Sequence, residues 1–423
     1  MARDISKREL LRYTALLGAA GISWPCGASF FDSIRSDSGY STPENLLSLI
    51  RDYDEMGWHR TGSEGDVKTH VWLKKKIHNL GFEPEENTFS FRRVTGFTAA
   101  LDIAGETIQG LPLFDTLGAP SGTQTGSLGL MNSGQDFIVL KAPPYYGLPG
   151  GQALLDLRAE NACKGIIAIT DAVGLGLKPG LTPVNADAYK KPFGPPVILV
   201  SSEQAANLLK AAAEQQPVAF KHDIKRQPGK SSNIIAEVPG RDPGLKPFVV
   251  MTPMTGWWHC ASERGSGLAL WLRLLAAVAK TRPDRTFLFA ATAGHELGHM
   301  GLAHLLQTRI AQPDSVYAWL HLGACFCGKN TFTQLQASSP ELAETAASIM
   351  QSEGLIPNKS TTSPHDVVGE VKDVIPRGGK YLSISGFDPW FHNQRDRIDQ
   401  SIDVPRVAAM SRVVEAWLSA LLA

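Results

Sequence analysis

The stretch Ala293–His304, AGHELGHMGLAH, holds the densest group of residues able to do chemistry. Its centre, His295-Glu296-Leu297-Gly298-His299, reads H-E-x-x-H. On a regular helix that spacing puts two imidazoles one turn apart on one face, where they hold zinc while the glutamate activates water. The spacing does not by itself put them on a helix. RTFLFAATA (Arg285–Ala293) comes immediately before and reads as a strand, so His295 falls at a strand-to-helix turn. The third histidine of the extended signature is also missing, because Leu305 stands ten residues after His295. The helical zinc reading is therefore the weaker one.

The elements that must position these residues follow from periodicity. Residues 44–56 and 65–80 have helical apolar spacing, with Thr42 and Ser63 placed as caps, and ENTFSFRRV then reads as a strand. From about 95 to 230 short strands (Ile138–Leu140, Gly165–Thr170, Pro196–Val200) alternate with helices and Gly/Pro-rich loops, the texture of an inserted module. Beyond it, apolar strands at Asn233–Val238, Phe248–Thr252, Thr286–Ala291 and Val316–Leu322 alternate with helices at Leu268–Lys280, Leu297–Gln307, Pro340–Ser352 and Val404–Leu422. Continuous apolar strands between helices predict an α/β fold with a mostly parallel sheet covered on both faces. In such sheets chemistry gathers beyond the carboxyl ends of the strands.

The pieces HRTGSEG (His59–Gly65), NIIAEVPG, PFVVMTPMTGWW, ERGSG, RTFLFAATAGHELGHMGL, VYAWLHLGA and WFHNQRDRIDQ, in this order and spacing, resemble the zinc aminopeptidase and glutamate-carboxypeptidase-like family, which includes the transferrin-receptor ectodomain. IVLKAPPYYG and RAENACKGIIAIT resemble the protease-associated domain that its members often carry as an insert. The likeness covers nearly all of the chain after its leader. It implies a three-layer aminopeptidase-like sandwich in two parts, residues 40–94 and 231–423, with an α+β protease-associated insert at 95–230.

The family holds two zinc ions through a His-x-Asp, a bridging Asp, a Glu-Glu pair, a further Asp and a late His. The resemblance puts Met254 and Gly256 where the His-x-Asp belongs, Glu263 at the bridging aspartate, and His295-Glu296 at the Glu-Glu pair. It puts His321 at the later aspartate and His392 at the late histidine. With the first ligand lost, the set implied is mononuclear: Glu263, His321 and His392, with Glu296 as a fourth. Two imidazoles and a carboxylate suit one divalent metal, zinc first, with iron or manganese as alternatives. One zinc polarises a carbonyl and acidifies its bound water, and His295 would serve as general base. The reaction implied is hydrolysis of an amide or peptide bond in a small molecule or short peptide. The alternatives are a metal-free acid–base hydrolase or lyase using His295 and Glu296, and a non-catalytic binding protein.

Other residues carry less. His259 in the Trp257-Trp258-His259 loop, Trp258 itself and Arg377 are candidates for the substrate pocket, against the plainer readings of a packed loop histidine and a solvated arginine. His299 is expected to be incidental, His304 to lie on the following helix, and His365-Asp366 to be turn chemistry. Four cysteines beyond the leader form no dense disulfide pattern and read as buried thiols.

Lys plus Arg equal Asp plus Glu at 41 each in 423 residues, and no basic stripe argues for nucleic acid. No apolar run approaches the ~18 residues of a membrane span. Ser6-Lys7-Arg8-Glu9-Leu10-Leu11-Arg12 followed by YTALLGAAGISW resembles a twin-arginine export signal with Lys7 for the first arginine, ending near Gly27 and Ala28. Residues 1–28 are therefore expected to direct the chain to the periplasm or outside the cell, where it is open to pairing as a homodimer.

Overall fold

Thr42 starts the first helix, α1 (Pro43–Asp54). Its side chain accepts from the Asn45 N–H at 3.3 Å, and Pro43 takes the first position, where no intrahelical bond is lost. Leu46, Leu49, Ile50 and Tyr53 recur at helical spacing and are all buried. Ser63 caps α2 (Glu64–Asn79) in the same way. The structure, a computed structural model, describes residues 40, 42–118, 122–171 and 176–422. The export segment expected at 1–28 lies outside the described residues.

The chain then runs through β1 (Glu85–Ile103), β2 (Glu106–Gln109), β3 (Leu111–Pro112), β4 (Thr123–Leu130) and β5 (Phe137–Ala142). Next come α3 (Gly151–Glu160), β6 (Gly165–Thr170), β7 (Val197–Ser201), α4 (Ala205–Ala213) and β8 (Pro217–Val238). The second half is β9 (Phe248–Pro253), α5 (Ser266–Ala279), β10 (Phe287–Thr292), α6 (Met300–Thr308), β11 (Ala318–Leu322) and β12 (Phe332–Ala337). It closes with α7 (Pro340–Ser352), β13 (Lys359–Thr361), α8 (Val371–Val374), β14 (Lys380–Phe387), α9 (Ile398–Ser401) and α10 (Val404–Leu422).

Among the described residues fourteen strands join in one sheet. At its centre β14, β11, β9 and β10 lie parallel, flanked by antiparallel β12 and β8. In β9, Phe248 and Val250 belong to the core shared with α1, α5 and α10, while Val249 and Met251 pack with Leu302 and Leu305 of α6. Alternate side chains of one strand are thus buried on opposite faces, which is why these strands read as unbroken apolar runs. This is the three-layer α/β sandwich with a mostly parallel centre.

β1 and β8 pair antiparallel and carry the sheet past the sandwich to β4, β5, β6, β7 and β3. Both positions that divide the sequence, 95 and 230, fall inside these long strands, and the register shifts between Val94 and Gly96. The strands between them bury a separate core that includes Leu101, Phe137, Ile167, Val200 and Phe220. The opposite face of these strands, with Leu111, Phe114, Ile138, Ile166 and Val197, joins the main core beside Trp257, so the unit is packed onto the sandwich as well as joined to it by β1 and β8.

Candidate active site

The parallel strands β9, β10 and β11 end on the same side, and the segments leaving them meet there. After Thr292 the chain turns at Gly294 (φ +77°), makes one 3-10 turn over His295–Leu297, and passes through left-handed Gly298 and His299 before α6 begins at Met300. The helix expected from Leu297 starts three residues late because of those two left-handed residues. A Cβ on Gly298 would lie 2.5 Å from the Asp187 carbonyl oxygen of the inserted unit, so the tight turn also serves close approach. HELGH therefore does not present two histidines on a helical face.

The turn nevertheless brings both imidazoles to one cavity of about 530 Å³, their rings 4.6 Å apart. His299 was expected to be incidental; it lines the cavity, and its Nδ1 lies 2.5 Å from Asp373. His295 Nδ1 donates to the Glu370 carboxylate at 3.2 Å, and the other oxygen of Glu370 accepts from Thr292 at 2.6 Å. Burial depresses the His295 pKa well below the usual imidazole value, helped by the positive charges of Arg264 and His299 and opposed by Glu263. The ring is therefore neutral at neutral pH. Since Nδ1 donates to a carboxylate, Nε2 carries the lone pair.

His321, on β11, also lines the cavity. Its Nδ1 meets the Ser383 hydroxyl at 2.8 Å, its Nε2 is buried without a partner, and burial brings its pKa down to about 4. His365 and Asp366, expected as turn chemistry, do form a turn, with Asp366 N–H donating to Ser363 O at 3.1 Å, and both also face the cavity. The inserted unit contributes Asn185 and Asp187. Burial raises the Asp187 carboxyl above its ordinary range, opposed by the charges of Lys372 and His299.

Glu296 does not line this cavity. Its oxygens accept from the Thr61 N–H at 2.7 Å and the Thr255 hydroxyl at 2.9 Å, and burial raises its pKa. Thr255 Oγ1 in turn accepts from Gly294 N–H at 2.9 Å. Glu296 thus ties the HRTGSEG loop and the segment after β9 to the His295–His299 turn. Its expected roles as catalytic residue and metal ligand do not match that geometry.

Glu263 and His392 meet behind the cavity wall; neither lines the cavity. Glu263 sits in a wholly buried π-helical turn at Ala261–Gly265, whose N–H groups at Ser262 and Glu263 donate to Asp396 at 2.9 and 3.0 Å. His392 donates from Nδ1 to the Pro183 carbonyl at 2.7 Å and turns Nε2 to within 3.3 Å of Glu263 Oε1. That same oxygen accepts from Arg264 Nη2 at 2.7 Å. Burial pushes the Glu263 pKa up, but the Arg264 and His392 charges together hold it well below the carboxylate range.

These contacts test the expected metal set. Among the described residues no group of three or more His, Cys, Asp or Glu side chains is placed to hold a metal ion. The imidazole of His321 leaves Nε2 without a partner, whereas His392 Nε2 lies 3.3 Å from Glu263 Oε1. The carboxylates do not fit, however, because Glu296 is fully bonded elsewhere and Glu263 already carries a guanidinium. A divalent ion on Glu263 would stand roughly 4–5 Å from that guanidinium, a repulsion of about 7 kcal/mol at an effective dielectric of ~20.

The three residues expected at the substrate pocket lie elsewhere. Trp258 is buried and donates to the His392 carbonyl at 2.9 Å, bracing that loop from behind. His259 bonds the Asp54 carbonyl at 2.9 Å, at the end of α1. Arg377 is bound to the Ala311 carbonyl at 3.1 Å, outside the cavity lining. The sequence reading missed Glu370, Asp187 and Arg264. A buried partner for a histidine can lie on any later loop, so spacing carries no sign of Glu370. Arg264, next to Glu263 in the ERGSG motif, was the one signal available.

In fold, the chain is an aminopeptidase-like α/β sandwich. No protein-family model matches it, and no curated protein matches its sequence. Among solved structures, the zinc aminopeptidase BSAP from Bacillus subtilis superposes with a TM-score of 0.69 at 18% identity, over 89% of this chain and 94% of that one. A peptidase M28 precursor from Shewanella amazonensis gives 0.68 at 17%, over 93% and 95%. An aminopeptidase from Aneurinibacillus sp. strain AM-1 gives 0.64 at 15%, over 91% and 95%. At these identities the likeness concerns the fold.

Proposed function

We propose that the protein is an exported, peptidase-like hydrolase of amide or peptide bonds in which His295 is the general base. The observation that carries this is the buried His295–Glu370 pair on the wall of the cavity. Glu370 holds the tautomer with Nδ1–H and offsets the imidazolium that forms when Nε2 takes a proton from water attacking the carbonyl carbon. Burial keeps the resting imidazole neutral, the form a base must have. The aminopeptidase-like fold supports a short peptide or N-acyl amino acid as substrate, and the segment at 1–28 supports export. Asn185 and Asp187 support a role in the site for residues 95–230, read as a protease-associated insert.

The test is a panel of aminoacyl and N-acyl amides assayed with wild type, His295→Gln and Glu370→Gln. His295→Gln should lower kcat/KM by roughly 10²–10⁴-fold. Glu370→Gln should lower kcat at least ~10-fold with KM little changed. Because the His295 pKa is depressed, the acid limb of the pH profile should lie below pH ~6.5. Full activity in both variants would refute the assignment.

A further inference from the structure

The space beside Gly256 is closed by Cys260, with Arg264 in ordinary contact next to it. A Cβ on Gly256 would lie 2.7 Å from Cys260 Sγ and 3.5 and 3.7 Å from Nε and Cγ of Arg264. Arg264 is itself wholly buried, which a guanidinium tolerates only when its charge and donors are matched. Here they are. Nε donates to the Thr255 carbonyl at 2.8 Å, Nη2 to Glu263 Oε1 at 2.7 Å and Nη1 to the Glu263 carbonyl at 3.3 Å. The planar fork is thereby fixed between the segment leaving β9 and the π-helical turn. Against the same carboxylate oxygen lies the buried His392 Nε2, at 3.3 Å.

We propose that Arg264 is the resident cation of this site: its guanidinium occupies the charge position on Glu263 and keeps Glu263 and His392 from taking up a metal ion. The arrangement accounts for two features together. Glu263, although wholly buried, has a carboxylate oxygen bonded by the Arg264 guanidinium at 2.7 Å. His392 faces a carboxylate already matched by a permanent positive charge. The inference concerns the groups behind the cavity assigned above, not its chemistry, so a protein without hydrolase activity would leave it standing.

Zinc binding tests it directly. Wild type, His392→Ala and Arg264→Ala, purified without a metal-binding tag, would be titrated with zinc against a chromogenic chelator, with retained metal measured after gel filtration. The expected result is that wild type and His392→Ala retain the same zinc, while Arg264→Ala binds zinc at least tenfold more tightly than wild type. One equivalent in wild type that His392→Ala removes would overturn the proposal, as would equal affinities in wild type and Arg264→Ala. If Arg264→Ala fails to fold, the wild-type and His392→Ala pair still decides: no difference supports the proposal, and loss of an equivalent refutes it.

Discussion

Asp388 offers a test of the buried electrostatics that needs no substrate. It is almost completely inaccessible, and burial raises its pKa from 3.8 to about 7, with the nearby Glu263 charge adding to the shift and the Ser262 hydroxyl opposing it. Asp396, which holds the Glu263 turn through two N–H bonds, is raised further by burial and by Asp388 itself. The folded-state value of Asp388 lies above the unfolded one. Stability from this group is therefore complete below pH 3.8 and is lost as pH rises towards 7. Asp388→Asn keeps the shape and removes the titration. With pKa values of 3.8 and about 7, the ionisable group costs about 1.7 kcal/mol at pH 5 and about 4 kcal/mol at pH 8. Relative to wild type, Asp388→Asn should thus gain about 2–3 kcal/mol between pH 5 and pH 8. Urea unfolding of both proteins at pH 5, 6.5 and 8 reads this difference. A ΔΔG the same at pH 5 and pH 8, within ~0.5 kcal/mol, would show Asp388 ionised throughout and refute the reasoning.

Two further substitutions probe the scaffold of the site. Gly256→Ala should cost about 1–3 kcal/mol by crowding Cys260, and a second change, Cys260→Ala, should recover most of it; additive losses in urea unfolding would show that the two do not share space. Thr255→Val removes the hydroxyl that donates to Glu296 and accepts from Gly294 N–H, leaving buried polar groups unmatched. It should destabilise by roughly 2–4 kcal/mol, read as a shift in the urea midpoint, and an unchanged midpoint would mean that water replaces the hydroxyl.

Much of the fold was legible in local pattern. Pro340–Ser352 and Val404–Leu422 are helices at the boundaries their periodicity predicts, and Thr42 and Ser63 cap the helices they precede. The buried parallel strands were visible as apolar runs, because burial on both faces erases alternation. The length of β1 was not. ENTFSFRRV is the first half of a strand that continues to Ile103, and past Val94 its residues alternate too weakly to mark pairing with β8.

Residue chemistry, too, divides along this line. The sequence by itself placed His295 at the end of an apolar strand, and His321 within another, so both were bound to reach the carboxyl edge of the sheet. Which groups they meet there was decided by tertiary structure. Glu370, Ser383 and Asp373 are 62 to 75 residues away from the histidines they contact. Glu296 and Glu263 differ by nothing in residue type, yet one is a brace between loops and the other is matched to a guanidinium. Side-chain direction at a turn depends on backbone angles such as the left-handed values at Gly294, Gly298 and His299. Those angles are set by what packs against the turn, including Asp187 from the inserted unit. Local sequence determines an element through short-range preferences, whereas the state of a buried charge depends on whichever distant groups the fold brings within a few ångströms.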